Sequence, residues 1–208
     1  AIDFGYEFQI GQFDSQTFGN RKGIKDTLQV TQNTNIQSGN IFGQWDYQIN
    51  SNWNSTVSLS ANGYWTQYIG NELNLTPRFA LVRKLGNHQR IIAKIASGYS
   101  PPSIAELRPS AGTINTNLKS EKGWNKEITW RGKYAFFDWD LTAYQFDLDE
   151  TIVIRRAADG SDYFVNAGKT TQQGIELTYT VQLGQHLSLR NSESIQNFRF
   201  GEYVSGTK

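Results

Sequence analysis

Every second side chain is apolar in QGIELTYTVQ, residues 173–182, and the side chains between them are charged or polar. The stretch KEITWRGKY, residues 126–134, repeats this pattern. Because side chains alternate between the two faces of a strand, each stretch predicts one amphipathic β-strand. Strands of about ten residues are longer than the usual five or six. With a rise of about 3.3 Å per residue and a tilt of about 45°, they are long enough to cross the hydrocarbon core of a bilayer. This pattern is typical of a transmembrane β-barrel, with lipid outside and water inside.

The composition agrees with a barrel and excludes several other classes of protein. The chain is 38% hydrophobic, its mean hydropathy is −0.55, and no run approaches the 18 apolar residues of a transmembrane helix. The 12 Phe, 10 Tyr and 6 Trp residues suit aromatic girdles at membrane interfaces. The 20 Lys and Arg nearly cancel the 19 Asp and Glu, so a nucleic-acid partner is not expected. The absence of cysteine excludes disulfides and thiolate metal sites, and no cofactor is predicted.

The connections between the predicted strands alternate in length. Strands are predicted at 3–15, 25–34, 39–50, 54–67, 75–84, 88–99, 121–135, 138–156, 162–183 and 186–200. Short turns are predicted at 51–53, 85–87, 136–137 and 184–185, and longer links at 68–74, 100–120 and 157–161. In an antiparallel up-and-down meander this alternation places all tight turns at one end and all long links at the other, as in outer-membrane barrels. The predicted fold is therefore all-β, with about ten long strands in one meander.

The same alternation predicts which side chains share a face. The lipid-side set is Trp45, Ile49, Val57, Leu59, Trp130, Tyr134, Ile175, Leu177 and Tyr179. The water-side set is Gln44, Ser58, Glu127, Arg131, Lys133, Glu176 and Thr178.

Four segments carry a resemblance to a known family. GYSPPSIAEL, residues 98–107, resembles the F/Y-S-x-P-S-x-x-E-L segment of TonB-dependent outer-membrane receptors. NLKSEKGWNKE, residues 117–127, resembles the family's N-L-x-P-E-x-x-x-x-x-E, with Ser120 in place of the usual Pro. Residues 144–154 resemble the strand that ends in D-x-I, and YFVNAGKTTQQGIEL, residues 163–177, resembles y-x-N-x-G-x-x-x-x-x-G-v-E-l.

The resemblance implies a barrel of about 22 strands whose lumen is closed by an N-terminal plug domain. It implies residence in the Gram-negative outer membrane and contact with its lipid. It also implies import of a scarce nutrient or metal chelate, such as a ferric siderophore, haem, cobalamin or a glycan, with energy from the TonB complex. No plug-like segment, TonB box or closing C-terminal strand is found in residues 1–208. We therefore expect the chain to be an internal part of a single β-barrel domain, and contact with TonB to use an N-terminal region that it lacks.

Structural roles are predicted for most of the singled-out residues. Pro101 and Pro102 suit the end of a strand, because Pro cannot donate to a ladder. The segment 166–168 suits a bulge or bend, and Glu127 and Glu176 suit pairing with inward Lys or Arg. His88 and His186 are expected to be solvated residues at turns. Asp-Gly at 159–160 is a hairpin-turn signal rather than a calcium loop.

No catalytic site is predicted, because neither facing carboxylates nor a recognised catalytic motif is present. Two other functions remain open: a passive porin-like or adhesin barrel, and a secreted β-sandwich that binds carbohydrate.

Ligand recognition is predicted at the end that carries the long links, because loops there are free of the constraints on paired strands. The link 100–120 is the longest. Its candidate ligand-binding residues, all suited to a hydrophilic ligand, are Glu106, Arg108, Ser110, Asn115 and Asn117.

Overall fold

The computed structural model describes residues 1–107, 115–158 and 160–203. Their elements are β1 (Ile2–Arg21), β2 (Ile24–Gln48), β3 (Trp53–Thr66), β4 (Gly70–Leu85), β5 (Gln89–Ser100), α1 (Ile104–Leu107), β6 (Glu121–Lys133), β7 (Phe137–Asp149), β8 (Ile152–Arg156), β9 (Asp162–Asn166), β10 (Gly168–Gln182) and β11 (Ser188–Tyr203). No helix among these residues is long and apolar enough to span a membrane.

Nine of the strands form one antiparallel sheet in the order β1-β2-β3-β4-β5-β6-β7-β10-β11. Each strand pairs with its neighbours along the chain, except that the separate hairpin β8–β9 is inserted between β7 and β10. β1 and β11 are the two edges, so the sheet is open. The prediction of an all-β antiparallel meander is confirmed, and a β-sandwich is excluded because the long strands share one sheet.

Two predicted breaks at the start of the sheet are wrong. Segments 25–34 and 39–50, predicted as separate strands, belong to the continuous 25-residue strand β2. It pairs with β1 through a turn at Lys22 and Gly23, whose φ values are 52° and 83°. The predicted long link 68–74 is also shorter, since β4 already begins at Gly70. In both places polar residues occur on both faces beside few apolar ones, so the alternation that marks a half-buried strand is weak.

Two predicted strands are each divided in the structure. Segment 138–156 separates into β7 and β8 around Glu150, whose φ is 57°. Segment 162–183 separates into β9 and β10 at Ala167. The predicted hairpin link 157–161 is present: the amide of Ala157 donates to the carbonyl of Ser161 over 2.8 Å. Asp159 itself lies outside the described residues.

The two ends of the sheet differ only in part as the alternation predicts. The segments 49–52, 86–88, 134–136 and 183–187 connect strands at one end, the tight-turn end. The segments 22–23, 67–69, 101–120 and 150–167 connect them at the other, the long-loop end. At the long-loop end, 101–120 and 150–167 are long as predicted, whereas 22–23 and 67–69 are no longer than the tight turns. The ligand-facing prediction therefore concerns the rim that carries these two long segments.

The pairing register confirms the two faces. Ile128 lies opposite Ala93 and Ala143, and Ala143 lies opposite Ile175, so these side chains form one apolar row. Glu127 lies opposite Lys94 and Tyr144 in the adjacent row on the polar face. The polar face lines a cavity of about 890 Å³ that extends from β4 to β11. The sheet therefore curves around its polar face and turns its apolar face outward.

Strand β11 departs from this division. On β11, Glu193 lies opposite Leu177, and Asn191 lies opposite Tyr179, so both polar side chains are on the apolar face. The Asn191 side-chain amide donates to Glu193 Oε1 over 2.7 Å. An acid on the apolar outward face of a barrel is costly, and the hydrogen bond with Asn191 gives this carboxylate a polar partner.

Aromatic side chains cluster on the apolar face at the tight-turn end. The ring centroids of Trp130 and Trp139 are 5.2 Å apart in an edge contact, and those of Phe137 and Trp139 are 5.4 Å apart in a stack. Tyr134 stacks against Trp139 at 5.8 Å. Aromatic rings at this position are typical of the interfacial girdle of a barrel.

Candidate functional site

A small packed core lies at the long-loop end, outside the sheet. Leu107 at the end of α1 is 1% exposed, Leu118 is 4% exposed, and Ala167 between β9 and β10 is 1% exposed. The segment 101–120 and the insertion 150–167 therefore bury apolar side chains at the same end of the molecule. We call this region, formed by segments 101–107, 115–121 and 150–168, the loop cluster.

Asn166 ties the two parts of the loop cluster together. Its Oδ1 accepts a hydrogen bond from the amide of Lys119 over 2.9 Å, and its Nδ2 donates to the carbonyl of Lys119 over 2.9 Å. Nδ2 also donates to the carbonyl of Glu150 over 2.6 Å. Only a primary amide supplies both an acceptor and two donors in one planar group. The prediction of a structural role for 166–168 is confirmed.

Further contacts reinforce this junction. Glu121 Oε1 accepts a hydrogen bond from the amide of Ile152 over 2.7 Å. The amide of Thr151 donates to the carbonyl of Gly168 over 3.2 Å, and Gly168 has a φ of 109°, which favours glycine. In the hairpin β8–β9, a hydrogen bond from Arg156 to Asp162 raises the pKa of the Arg156 guanidinium.

Ser103 and Glu106 cap α1. The amide and hydroxyl of Ser103 both donate to Glu106 Oε2, over 2.7 and 2.8 Å. The amide of Glu106 reaches the Ser103 hydroxyl over 3.3 Å. This reciprocal arrangement is a capping box, and it accounts for the S-x-x-E spacing of the sequence motif.

The predicted ligand residues are brought to the same end but have different surroundings. Asn115 Nδ2 donates to the carbonyl of Phe164 over 2.9 Å, and Asn115 Oδ1 accepts from the amide of Asn117 over 3.0 Å. The side chain of Asn117 is exposed and makes no hydrogen bond to another described residue. Glu106 and Asn115 hold the loop cluster, whereas Asn117 is free to meet a ligand. Arg108 and Ser110 lie outside the described residues.

The loop cluster is anchored on the polar face of the sheet through Glu72 on β4. The Ser120 hydroxyl, which is 2% exposed as a residue, donates to Glu72 Oε2. Asn74 Nδ2 donates to the same oxygen over 3.4 Å. Ser120 stands where the family motif has Pro, and its hydroxyl makes a contact that Pro cannot make. The sequence alone did not single out Glu72, because its partner is 48 residues away.

Ion pairs line the polar face below the loop cluster. Lys94 pairs with Glu127, and Arg131 Nε donates to Asp140 Oδ2 over 2.6 Å. The prediction that Glu127 pairs with an inward cation is confirmed. Glu176 makes no ion pair with a described residue, so the same prediction is wrong for it within the described chain.

The histidines take no part in this site. The His88 ring stacks on Tyr134 with centroids 5.0 Å apart, so it is more than a solvated turn residue. His186 is exposed in the turn 183–187. The described residues contain no group of three His, Cys, Asp or Glu that could hold a metal ion.

The strands and loops of this chain together match one known protein family. A family model described as "TonB dependent receptor-like, beta-barrel" matches residues 1–206. The chain belongs to the TonB-dependent receptors. Proteins of this family are transporters rather than enzymes, which agrees with the prediction of no catalytic site.

Relatives and solved structures extend the similarity. A vitamin B12 transporter, BtuB, of Photobacterium profundum is 31% identical over 110 residues, which are 50% of this chain and 18% of that protein. The ferripyoverdine receptor of Pseudomonas aeruginosa matches 95% of this chain and 30% of its own, with a TM-score of 0.76 and 11% identity. The siderophore receptor PirA of the same organism matches 81% of this chain and 35% of its own, with a TM-score of 0.67 and 20% identity. These structures share the fold, and this chain spans about a third or less of each protein's length.

Proposed function

We propose that this TonB-dependent receptor chain forms part of an outer-membrane transporter that imports a scarce nutrient with energy passed from the TonB complex. The observation that carries the proposal is the curved sheet with an apolar outward face and an ion-paired polar face. Such a sheet suits a wall between lipid and a water-filled lumen. In this proposal residues 1–208 are part of one barrel domain, and the plug and the TonB contact belong to regions that the chain does not include.

The ligand is proposed to bind at the long-loop end. The loop cluster is fixed there by Asn166 and by the contact of Ser120 with Glu72. A fixed loop loses little conformational freedom on binding, and this favours affinity. Within it, Asn117 offers an exposed amide, and Arg108 and Ser110 add a cation and a hydroxyl from the adjoining sequence.

The ligand class is proposed to be a metal chelate or a corrinoid, with haem and glycans as further members of the same list. The similarity to a vitamin B12 transporter supports cobalamin, and the folds of the ferripyoverdine receptor and PirA support ferric siderophores. Each of these ligands carries many hydrogen-bonding groups, which match the exposed uncharged side chains of Thr116 and Asn117.

Uptake assays test this proposal. The complete receptor would be expressed in cells that lack their own receptors, and uptake of labelled cobalamin and of a labelled ferric siderophore would be measured. We expect uptake of one of them, and we expect it to disappear in cells without TonB. Uptake that persists without TonB would support the passive porin-like alternative and contradict the proposal.

A loop replacement tests where the ligand binds. Replacing 108–117 with a Gly-Ser linker is expected to weaken ligand uptake and leave insertion into the outer membrane unchanged. The matched control replaces the tight turn 86–88, which lies at the opposite end of the sheet. Unchanged uptake after the replacement of 108–117 would remove the support for a ligand site at this end.

A further inference from the structure

Cations are concentrated on the polar face at the tight-turn end of the sheet. A cavity of about 870 Å³ opens there and extends across the sheet from β3 to β11. The described charged residues that line it are five cations and two carboxylates: Lys84, Arg90, Arg131, Lys133, Arg190, Asp138 and Asp140. This excess of cations distinguishes the tight-turn end from the middle of the polar face, where Lys94 pairs with Glu127.

Three of these cations share one row across three neighbouring strands. Lys84 lies directly opposite Arg90, and Arg90 lies directly opposite Arg131. Neighbouring strands are about 4.8 Å apart, and like charges directly opposite one another destabilise a sheet. The row continues to Asp140, whose carboxylate accepts a hydrogen bond from Arg131 Nε over 2.6 Å. Asp140 therefore offsets the charge of Arg131, while Lys84 and Arg90 still repel each other.

Three cations of the cavity lack a counter-charge. Lys84, Arg90 and Arg190 are exposed, and none of them makes an ion pair with another described residue. In contrast, Lys133 Nζ lies 3.7 Å from Asp138 Oδ2. Arg190 is on β11 and lines the same cavity from that side. An anion in the cavity would reduce the repulsion within the row and give these cations a partner.

We propose that this cavity is a second binding site, specific for a small molecule that bears two or more carboxylate or phosphate groups. A guanidinium group binds either kind of anion through two parallel hydrogen bonds, and Arg90 and Arg190 supply such groups. The cations of the row are about one strand spacing apart, which suits neighbouring anionic groups of one molecule. Pockets for small molecules are typically about 300–1,000 Å³, so the size of this cavity favours such a molecule over a folded acidic protein.

The cavity lies at the opposite end of the polar face from the loop cluster. Since the proposed function places a lumen along this face, an imported ligand meets the loop cluster first and the cavity afterwards. The inference rests on the proposed function in this respect. It extends that function by assigning anionic groups to the imported ligand.

Titration of the complete receptor with inorganic pyrophosphate and with citrate tests the proposal. Isothermal titration at low ionic strength would measure both affinities, and the two probes separate a phosphate site from a carboxylate site. We expect Arg90→Gln to weaken binding of the tighter probe about two- to fivefold, since one exposed charge contact contributes modestly. Removal of two cations in Lys84→Gln/Arg90→Gln should weaken it about tenfold. Added sodium chloride should also weaken binding, because salt screens exposed charges.

Arg83→Gln is the matched control. Arg83 precedes Lys84 on the same strand but points to the opposite face, where its Cζ lies 5.3 Å from the centroid of the Trp53 ring. We expect this variant to bind both probes as the unchanged receptor does. Equal weakening by Arg83→Gln and Arg90→Gln would overturn the proposal, since overall charge would then explain binding.

Failure of the unchanged receptor to bind either probe would also overturn the proposal, and thermal unfolding of Arg90→Gln would then show why. A melting temperature below that of the unchanged receptor would show that an acidic segment of the receptor itself pairs with the row. An equal or higher melting temperature would show that the cations are only solvated, because loss of Arg90 relieves repulsion. Uptake of labelled cobalamin and ferric siderophore is measured separately, so failure here is distinguishable from failure of the proposed transport.

Discussion

The nine-stranded sheet, which we call the wall, differs from the loop cluster in how it places apolar side chains. On the wall, large apolar side chains remain exposed, with Phe4 at 87% and Ile195 at 79%. In the loop cluster, Leu107 and Leu118 are almost completely buried. The difference shows that the loop cluster buries its apolar groups as a water-soluble domain does, whereas the wall leaves them exposed, as the proposed contact with lipid requires.

The difference also explains where the family motifs lie. Many sequences can form an alternating sheet, because any apolar side chain suits the outward face and most polar side chains suit the inward face. The loop cluster requires particular groups: an amide at Asn166, a carboxylate at Glu106 for the cap, and a glycine at Gly168. These residues fall within the segments 98–107 and 163–177, which resemble the family motifs.

The largest expected effect is in the core of the loop cluster. Replacing Leu118 by Ala removes a buried side chain, and such changes cost about 2–5 kcal/mol. We expect the segment 101–120 to become sensitive to limited proteolysis and ligand uptake to fall. Insertion of the barrel should be unaffected, because Leu118 is outside the sheet. Leu73→Ala, at an exposed wall position, is the control; equal protease sensitivity in both variants would contradict the division into wall and loop cluster.

A charge on the apolar face tests the wall. Ile128→Arg places a cation among Ala93 and Ala143, and an outward cation near the middle of a bilayer costs about 2–4 kcal/mol. We expect a loss of assembled receptor, measured as the heat-modifiable band in outer-membrane fractions. Thr178→Arg, on the polar face opposite Asp140, is expected to assemble normally.

Leu177→Arg sharpens this test. It is also outward, but its direct neighbour on β11 is Glu193. An ion pair between the new cation and Glu193 would offset part of the cost, so we expect an assembly defect between those of Ile128→Arg and Thr178→Arg. A defect in Leu177→Arg as severe as that in Ile128→Arg would show that Glu193 does not face the same side.

A smaller effect is expected at Asn166, whose side chain joins the two parts of the loop cluster. Asn166→Ala leaves the amide and carbonyl of Lys119 without their partner, and each unsatisfied buried group costs about 1–3 kcal/mol. The cost is reduced here because Lys119 is exposed to water. We expect faster amide hydrogen exchange in 115–121 and 150–156, with no change in β10. Unchanged hydrogen exchange in both segments would mean that the hydrogen bonds of Asn166 do not hold them together.

Alternation predicted the wall well because most of its strands have one apolar face and one polar face. It failed where the alternation is weak: all residues of 31–38 on β2 except Ile36 are polar, and the predicted break there is absent. It also failed at Glu150 and Ala167, where a change in backbone direction depends on contacts with the distant segment 119–121. Asn191 and Glu193 lie on the apolar face although both are polar. The pairing register of β11, and not their hydrophobicity, determines which face they occupy.

The candidate site was predicted only in part. Its position at the long-loop end follows from the meander, and Asn117 is exposed there. The hydrogen bonds that Glu106 and Asn115 make within the loop cluster could not be predicted from the sequence. A polar residue in a loop has the same sequence signature whether it contacts a ligand or the backbone. The cap at Glu106 did have a signal in the sequence, the S-x-x-E spacing of Ser103 and Glu106, which is also part of the family motif.

The smallest expected effect separates the two roles of Glu106. Glu106→Gln keeps an oxygen that can accept from Ser103, since Gln also serves in a capping box, but it removes the negative charge. Ser103→Ala keeps the charge but removes the cap, at a cost of about 1 kcal/mol. If Glu106 only caps α1, Ser103→Ala should raise protease sensitivity in 101–107 slightly, and Glu106→Gln should leave both protease sensitivity and ligand affinity unchanged. If the carboxylate contacts the ligand, Glu106→Gln should weaken binding while Ser103→Ala has the smaller effect. Isothermal titration of the complete receptor with its transported ligand decides between them, and the capping contacts lead us to expect the first result.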